Sequence, residues 1–503
     1  MTAHRADDDP VNEGVPSAPR AALVDSIVGN APLNKRPLLI ADELEEQFLR
    51  DGWPEGMSLG GEVELANRYG VGRDVLREVV RLLEARNHAR MRRGPRGGLE
   101  VVRPDLDDLT ARLTGYAYVS GLDRSAVVDA WVTLQAAAVR LLDMHPGQDW
   151  PILVSRLHSK GDGGVRAFGD GLIEASGSPL LIILGQMIAG LLPGSLDGPL
   201  PASAFDQPSG APDARSLLAL LRGTAQSTLM RLLDLNPAER AITSPVAPRS
   251  RCFQHQAMHL VHELMTEISP VEWARGHLIG NEFDLSDRLG VDKSVMRQAI
   301  RLMEDAETAT SLPGRGRGLM TRLPSTAPLS RLLCALLAAH GVDDDDGEQV
   351  FEALRIESAG LAAERASSED RATLLAMSND LDELVAPLPV AALQGFERLQ
   401  QHVAHNRLLG LCVDGVKAFL TWRSEAWPVA SAAIVETYRK HTQCVVAAMC
   451  AGDSAAAMSA EAAKLAALNV TREHQVRPAL QERPVRGRAM SGKTGHGDAR
   501  LPH

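Results

Sequence analysis

The chain has 503 residues, 45% hydrophobic but only 4% aromatic, so it can bury several cores and favours helices packed through aliphatic side chains. Its net charge of −11 excludes a uniformly basic surface, and a polyanionic partner would have to be met by a local basic patch. Residues 1–30 are polar and contain proline, unlike a signal peptide, and read as a mobile leader.

Residues 31–104 form the first patterned unit. Val63, Leu65 and Ala66 begin an apolar helical face; Gly70 supplies the positive φ that ends the helix, and Val71 plugs the corner. A second helix is predicted from about Gly72, with Val75, Leu76, Val79, Val80, Leu82 and Leu83 facing the core at the 3.6-residue period. Arg73, Arg77 and Arg81, four apart, then share the opposite stripe. A helix laid in the major groove needs such a row, because guanidinium groups pair with guanine edges or clamp phosphates. The plain alternative is a solvated charged face. Next, Met91 to Gly98 carries Arg93 and Arg96 at a glycine-rich tip, the pattern of a two-stranded wing that can approach a phosphate backbone closely.

Residues 105–235 are expected to be all-helical, with residues 193–214 as a long loop. The apolar run Pro179 to Leu192 is too short to span a membrane, contains Gln186 and ends at Pro193, so it reads as a core helix. Residues 236–250, with Pro237, Pro245 and Pro248, form a linker. The pattern then starts again. Residues 282–319 of the unit 251–324 match residues 62–99 without a gap at an offset of 220: Glu62 falls on Glu282, Leu65 on Leu285, Gly70 on Gly290, Arg77 on Arg297 and Gly98 on Gly318. The basic stripe returns as Lys293, Arg297 and Arg301, and the wing tip as Arg315 and Arg317. The chain therefore reads as a tandem duplication.

A second helical region follows over 325–471, with the acidic run Asp343 to Asp346 ahead of a helix expected at Glu348. Residues 472–503, with Arg477, Arg483, Arg486, Arg488 and Lys493 among Pro and Gly, read as a mobile basic tail. Charge is partitioned accordingly. Residues 73–103 hold nine arginines against four acidic residues, and residues 293–322 six basic against three acidic ones, so positive charge gathers where the stripes and wings lie. Cys252, Cys334, Cys412, Cys444 and Cys450 show no C-x-x-C spacing and read as small buried residues of a reduced compartment.

These residues resemble the GntR-type winged-helix transcription regulators of the FadR-like subgroup. The resemblance is carried by Gly56 and Leu59 ahead of Glu62-x-x-Leu65-Ala66, by Gly70-Val71-x-Arg73 and Val75-x-Arg77-Glu78, and by the closing Gly98. Downstream, Phe168 to Leu181 and Phe396 to Leu409 look like helices of that subgroup's ligand-binding domain, and Phe351 to Glu357 like its first long helix. The first half has Trp131 to Gln135 at that last place, without the charges. In the second unit, Asp292-Lys293 stands where the family usually has Ser-Arg, and Asp292 would repel phosphate while capping its helix.

The resemblance further implies a metal site of one aspartate and three histidines in the helical domains. Here the histidine positions hold Gly169 in the first half, and Glu397, a place near Thr442, and Lys464 in the second. An ammonium donates no lone pair until it loses its proton, so no metal and no cofactor are expected. His402, His405 and His441 are read as ordinary polar residues.

The expected fold is mainly α: two winged helix-turn-helix domains, each with a small β-wing, alternating with two all-helical effector-type domains. The implied function is sequence-specific transcription regulation, as a cytoplasmic repressor, on a double-stranded DNA operator under control of a small-molecule effector, without a membrane. The protein would act as a homodimer or a pseudo-dimeric monomer. Arg73, Arg77, Arg81, Arg93, Arg96, Lys293, Arg297, Arg301, Arg315 and Arg317 are the candidate DNA contacts. The alternative is a sensor or partner-binding protein with vestigial winged helices. No nucleophile–base pair or nucleotide-binding loop points to an enzyme.

Overall fold

The computed structural model describes residues 36–92, 94, 97–160, 164–193, 196, 213–234, 242, 256–312, 314, 317–423 and 429–481. The expected leader lies outside them, as does the linker 236–250 except for Ile242.

The first unit comprises α1 (Arg36–Arg50), α2 (Glu62–Arg68), α3 (Arg73–Ala85) and a hairpin of β1 (Ala89–Met91) and β2 (Leu99–Val101). As the periodicity predicts, α3 buries Leu76, Val79, Val80, Leu82 and Leu83. They pack with Leu38, Leu44 and Phe48 of α1 and Leu65 of α2. Each such side chain contributes about 1.5–3 kcal/mol of burial. The corner between α2 and α3 depends on Gly70 at φ +59°, which lets the Val71 amide turn back onto the Ala66 carbonyl at 3.0 Å.

The first bundle contains α4 (Leu106–Val119), α5 (Arg124–Asp143), α6 (Trp150–Lys160), α7 (Val165–Ala175), α8 (Pro179–Ala189) and α9 (Ala214–Leu233). Asp105 and Asp123 cap α4 and α5 by accepting from the amides of Asp107 and Ser125. By length and composition α5 could cross a membrane, but 72% of its apolar stretch is buried inside the fold. The sequence reading had singled out α8 instead.

The second unit comprises α10 (Gln256–Glu267), α11 (Pro270–Arg275), β3 (Leu278–Gly280), α12 (Glu282–Leu289), α13 (Lys293–Asp305), β4 (Ala309–Ser311) and β5 (Leu319–Thr321). Its antiparallel sheet has the order β3-β5-β4, whereas the first unit has only the bridge Ser58–Glu100 where β3 would pair. A tryptophan anchors the return of each hairpin. Trp53 Nε1 donates to the Val102 carbonyl at 2.8 Å, and Trp273 Nε1 to the Arg322 carbonyl at 3.1 Å. Both bonds obey the 220-residue offset, and carrying the alignment upstream of Glu62 would have exposed them.

The second bundle runs through α14 (Ala327–Ala339), α15 (Asp344–Arg365), α16 (Ser368–Asp382), β6 (Leu388–Pro389), α17 (Val390–His402), α18 (Arg407–Arg423), β7 (Val429–Ala430), α19 (Ala432–Ala451) and α20 (Ser454–Gln481). Two boundaries differ from expectation. Helix α15 begins at Asp344 rather than Glu348, because Asp343 accepts from the Asp346 amide at 2.7 Å and the acidic run becomes its first turn. Helix α20 continues to Gln481, so the expected tail from 472 is helical for its first ten residues. Cys334 and Cys412 are buried as expected, and burial pushes the Cys412 thiol up to about 12. Cys444, however, is exposed and Cys450 half-buried, while Cys252 lies outside the described residues.

The two bundles share one continuous core, in which Trp131, Leu134 and Leu184 meet Leu333, Leu354 and Phe419. The units are attached crosswise. Helix α1 of the first unit packs on α14 and α18 of the second bundle, and α10 and α11 of the second unit pack on α4 of the first. Tyr118 and Val119 of α4 thus enter the core of the second unit, and Ala335 of α14 enters that of the first. Four regions of sequence form one interlocked body.

Candidate nucleic-acid interface

Helices α3 and α13 present the predicted basic stripes. Arg73, Arg77 and Arg81 are exposed on α3, as are Lys293 and Arg297 on α13. The caps differ. Gly72 offers α3 no side chain, whereas Asp292 accepts from the Ser294 amide at 2.7 Å at the start of α13. That hydrogen bond holds the Asp292 carboxyl below the usual range, so the carboxylate stays ionised beside the basic stripe. Lys293 Nζ lies 4.4 Å over the ring of the exposed Phe283 on α12, and exposed Val63 occupies the equivalent place on α2.

In both units a glutamate orients the middle arginine. Arg77 Nε is 2.7 Å from Glu62 Oε1, and Arg297 donates to Glu282 through Nη2 at 2.7 Å and Nε at 3.2 Å. Exposed ion pairs contribute about 0–1 kcal/mol, so these carboxylates position the guanidinium more than they stabilise the fold. Arginine has five N–H donors in a rigid fork, and those not used by glutamate remain for a ligand. The sequence repeat contained Glu62 and Glu282, but not the role that the turn gives them.

Arg301 behaves differently from its equivalent, Arg81. Its Nε lies 2.6 Å from Glu78 Oε1 on α3 and its Nη1 2.9 Å from Glu304. Glu78 is matched by Gln298 in the second unit, so the reciprocal ion pair is not available to Arg81. Beside this contact, Arg86 at the end of α3 is buried among carboxylates. Its Nε is 3.0 Å from Asp305 Oδ2 of α13, and its Nη1 is 2.9 Å from both Asp42 and Glu45 of α1. Arg86 and the groups it neutralises therefore tie the C-terminal ends of α3 and α13 together.

On the wings, Arg93, Arg96 and Arg315 lie outside the described residues, while Arg317 is exposed. Exposed Arg92, which sequence reasoning passed over, is 2.9 Å from Glu100 on the paired strand. Glycine is required where each wing returns. A Cβ on Gly98 would sit 2.7 Å from the Gly60 carbonyl oxygen, and one on Gly318 would sit 2.5 Å from that of Gly280.

The positions at which the resemblance would place a metal do not fit one. In the first bundle Gly169 packs against Trp131 and Gln135. In the second, Glu397 and Lys464 do converge, but as an ion-pair network: Lys464 Nζ is 3.0 Å from Glu397 and 2.8 Å from Glu461, and Arg355 is 2.8 Å from Glu461. Tyr438 donates to Glu397 at 2.8 Å. The cations hold the Glu397 carboxyl well below its usual range despite burial. Arg355 and Glu357, separated by Ile356 on α15, take separate partners: Glu357 pairs with Arg140 at 2.7 Å and Arg222 at 2.9 Å, both from the first half. His405 lies 2.9 Å from Asp370 at the surface.

The chain is 31% identical over 98 residues to the HTH-type transcriptional repressor NanR of Citrobacter rodentium. That match covers 19% of this chain and 37% of the repressor, little more than a third of its length. Among solved structures, Streptococcus agalactiae GntR is similar over 43% of this chain and 99% of its own, with 16% identity and a TM-score of 0.31. No protein-family model matches the chain.

Proposed function

We propose that this protein is a DNA-binding transcription regulator of GntR type, and not an enzyme, in which two winged helix-turn-helix heads and two helical bundles form a fused pseudo-dimer on one duplicated chain. One observation carries the reading: two helix-turn-helix-hairpin units, 220 residues apart, each expose a basic row whose middle arginine is held by a glutamate. The weak similarity to a transcriptional repressor supports it, and repression in the cytoplasm is the outcome we favour.

In this reading α3 and α13 enter successive stretches of major groove. Arg73, Arg77 and Arg81 read one half-site, Lys293 and Arg297 the other, and Arg93, Arg96, Arg315 and Arg317 on the wings grip the backbone. Arg301 is assigned instead to the junction of the heads, since two carboxylates engage it. The half-sites are unequal, because Asp292 places a negative charge beside the second row. An ordinary dimer reads a palindrome because its symmetry is exact; a fused pair whose heads differ reads an asymmetric site. A small-molecule effector bound in the body would change DNA affinity by shifting one head against the other.

The test is recovery of bound genomic fragments with purified protein, repeated for Arg77→Ala and Arg297→Ala. Discrete sites with two unlike halves, each relaxed by one substitution, are expected. Absence of enrichment over nonspecific binding at moderate salt, with the protein folded, would overturn this reading in favour of a partner-binding role.

A further inference from the structure

A cavity of about 110 Å³ lies where the two heads meet the two bundles. Gly115 of α4, Met258 and Met265 of α10, and Leu329 and Leu332 of α14 supply its apolar walls, and His88, just beyond α3, supplies a polar end. His88 is 3% exposed, and its Nδ1 is 2.6 Å from Glu45 Oε1. Arg86, also against Glu45, keeps that carboxylate ionised, so Glu45 accepts the Nδ1–H. In the neutral ring this tautomer leaves Nε2 as an acceptor. Among the described residues that atom is buried without a partner, and the Nε of Arg112 on the cavity wall is likewise unsatisfied. A buried polar group left unpaired is destabilising, so a ligand that pairs it is favoured.

We propose that this junction is a binding site for a small, uncharged, largely apolar molecule of about the size of a benzene ring, carrying one hydroxyl or N–H that donates to His88 Nε2. The size is bounded by the volume: an apolar cavity of roughly 150 Å³ accommodates benzene, so this smaller one takes a single ring once the flexible Met258 and Met265 side chains give way slightly. The absence of net charge follows from the walls. Arg86, Arg112 and Arg331 stand against Glu45 and Asp305 of the lining and Asp42 behind it, so no excess charge is left for a ligand to neutralise. His88 comes from the first head, Met258 and Met265 from the second, and the leucines from a bundle. Occupancy is therefore felt at once by all the parts whose relative placement sets the angle between the heads. The site is separate from the interior of either bundle, and its existence does not depend on what the heads bind.

Phenol and toluene serve as probes, being near-isosteric and differing in the donor. Titration calorimetry on the full chain, without DNA, should show phenol binding about three- to tenfold more tightly than toluene, the worth of one hydrogen bond. His88→Phe should erase that preference, and Ala306→Leu, which fills the cavity from α13's end, should abolish binding of both, with circular dichroism confirming that each variant folds. Equal affinity for the two probes, no measurable binding of either, or phenol binding undiminished in Ala306→Leu would each overturn the proposal.

Discussion

Replacing Arg86 with methionine removes the guanidinium that pairs with Asp305, Glu45 and Asp42 where α3 meets α13. The Arg86 and Asp305 side chains are only 9% and 8% exposed, so the carboxylates left behind cannot recover full hydration. Breaking a buried pair by deleting one partner costs about 3–5 kcal/mol. Arg331, 3.4 Å from Asp42, remains and relieves part of that, so we expect a loss of about 3 kcal/mol. Urea unfolding followed by circular dichroism and by tryptophan fluorescence, which includes Trp53 and Trp273 in the heads, measures it. Adding Asp305→Leu should restore part of the loss, because the double variant no longer buries that lone charge. The pH dependence has a definite sign. The folded pKa values of Glu45 and Asp305 are depressed, so their contribution is present above the ordinary carboxylate range and is lost as pH falls below it. Arg86→Met should flatten that acid limb. A loss under about 1 kcal/mol, or strict additivity of Arg86→Met and Asp305→Leu, would refute the view that this network ties α3 and α13 together.

Three further outcomes are expected. Gly318→Ala should destabilise the second unit by about 1–3 kcal/mol and detach its β4–β5 hairpin, since φ is +133° and the new Cβ would meet the Gly280 carbonyl; unchanged amide-exchange protection on β5 would contradict this. Lys464→Met leaves Arg355 as the remaining ion-pair partner of both Glu397 and Glu461, with Lys417 near Glu397, and should cost about 3 kcal/mol, seen as a lowered melting temperature that Glu461→Gln partly restores. Burial pushes the Asp414 carboxyl up to about 7, so its contribution is complete below the unfolded value near 4 and is lost as pH rises to 7. Asp414→Asn should therefore gain stability relative to the parent across that window, by at most about 4 kcal/mol and less where solvent reaches the cavity it borders; a pH-independent difference would rule this out.

The sequence by itself determined the local units. Gly70 and Gly290 end their helices in the left-handed region, and Leu76, Val79 and Leu83 with Met296, Ala299 and Met303 turn inward. Arg77 and Arg297 face outward at the same register. These properties follow from backbone sterics and a 3.6-residue period, which act over a few neighbours and are readable in a line of text. The partners of the side chains were decided only in three dimensions. Arg301 and Arg81 are equivalent by every local criterion, yet one meets Glu78 while the other's counterpart site holds Gln298. Lys464 looked only like a lost metal ligand until Glu397, 67 residues away, closed on it. Crossed packing of the two units, and with it the cavity at His88, depends on contacts such as Tyr118 with the Ile268 carbonyl, 150 residues apart. Burial energy constrains how much apolar surface must be covered, but not by which distant segment of the chain, and that choice belongs to the tertiary structure.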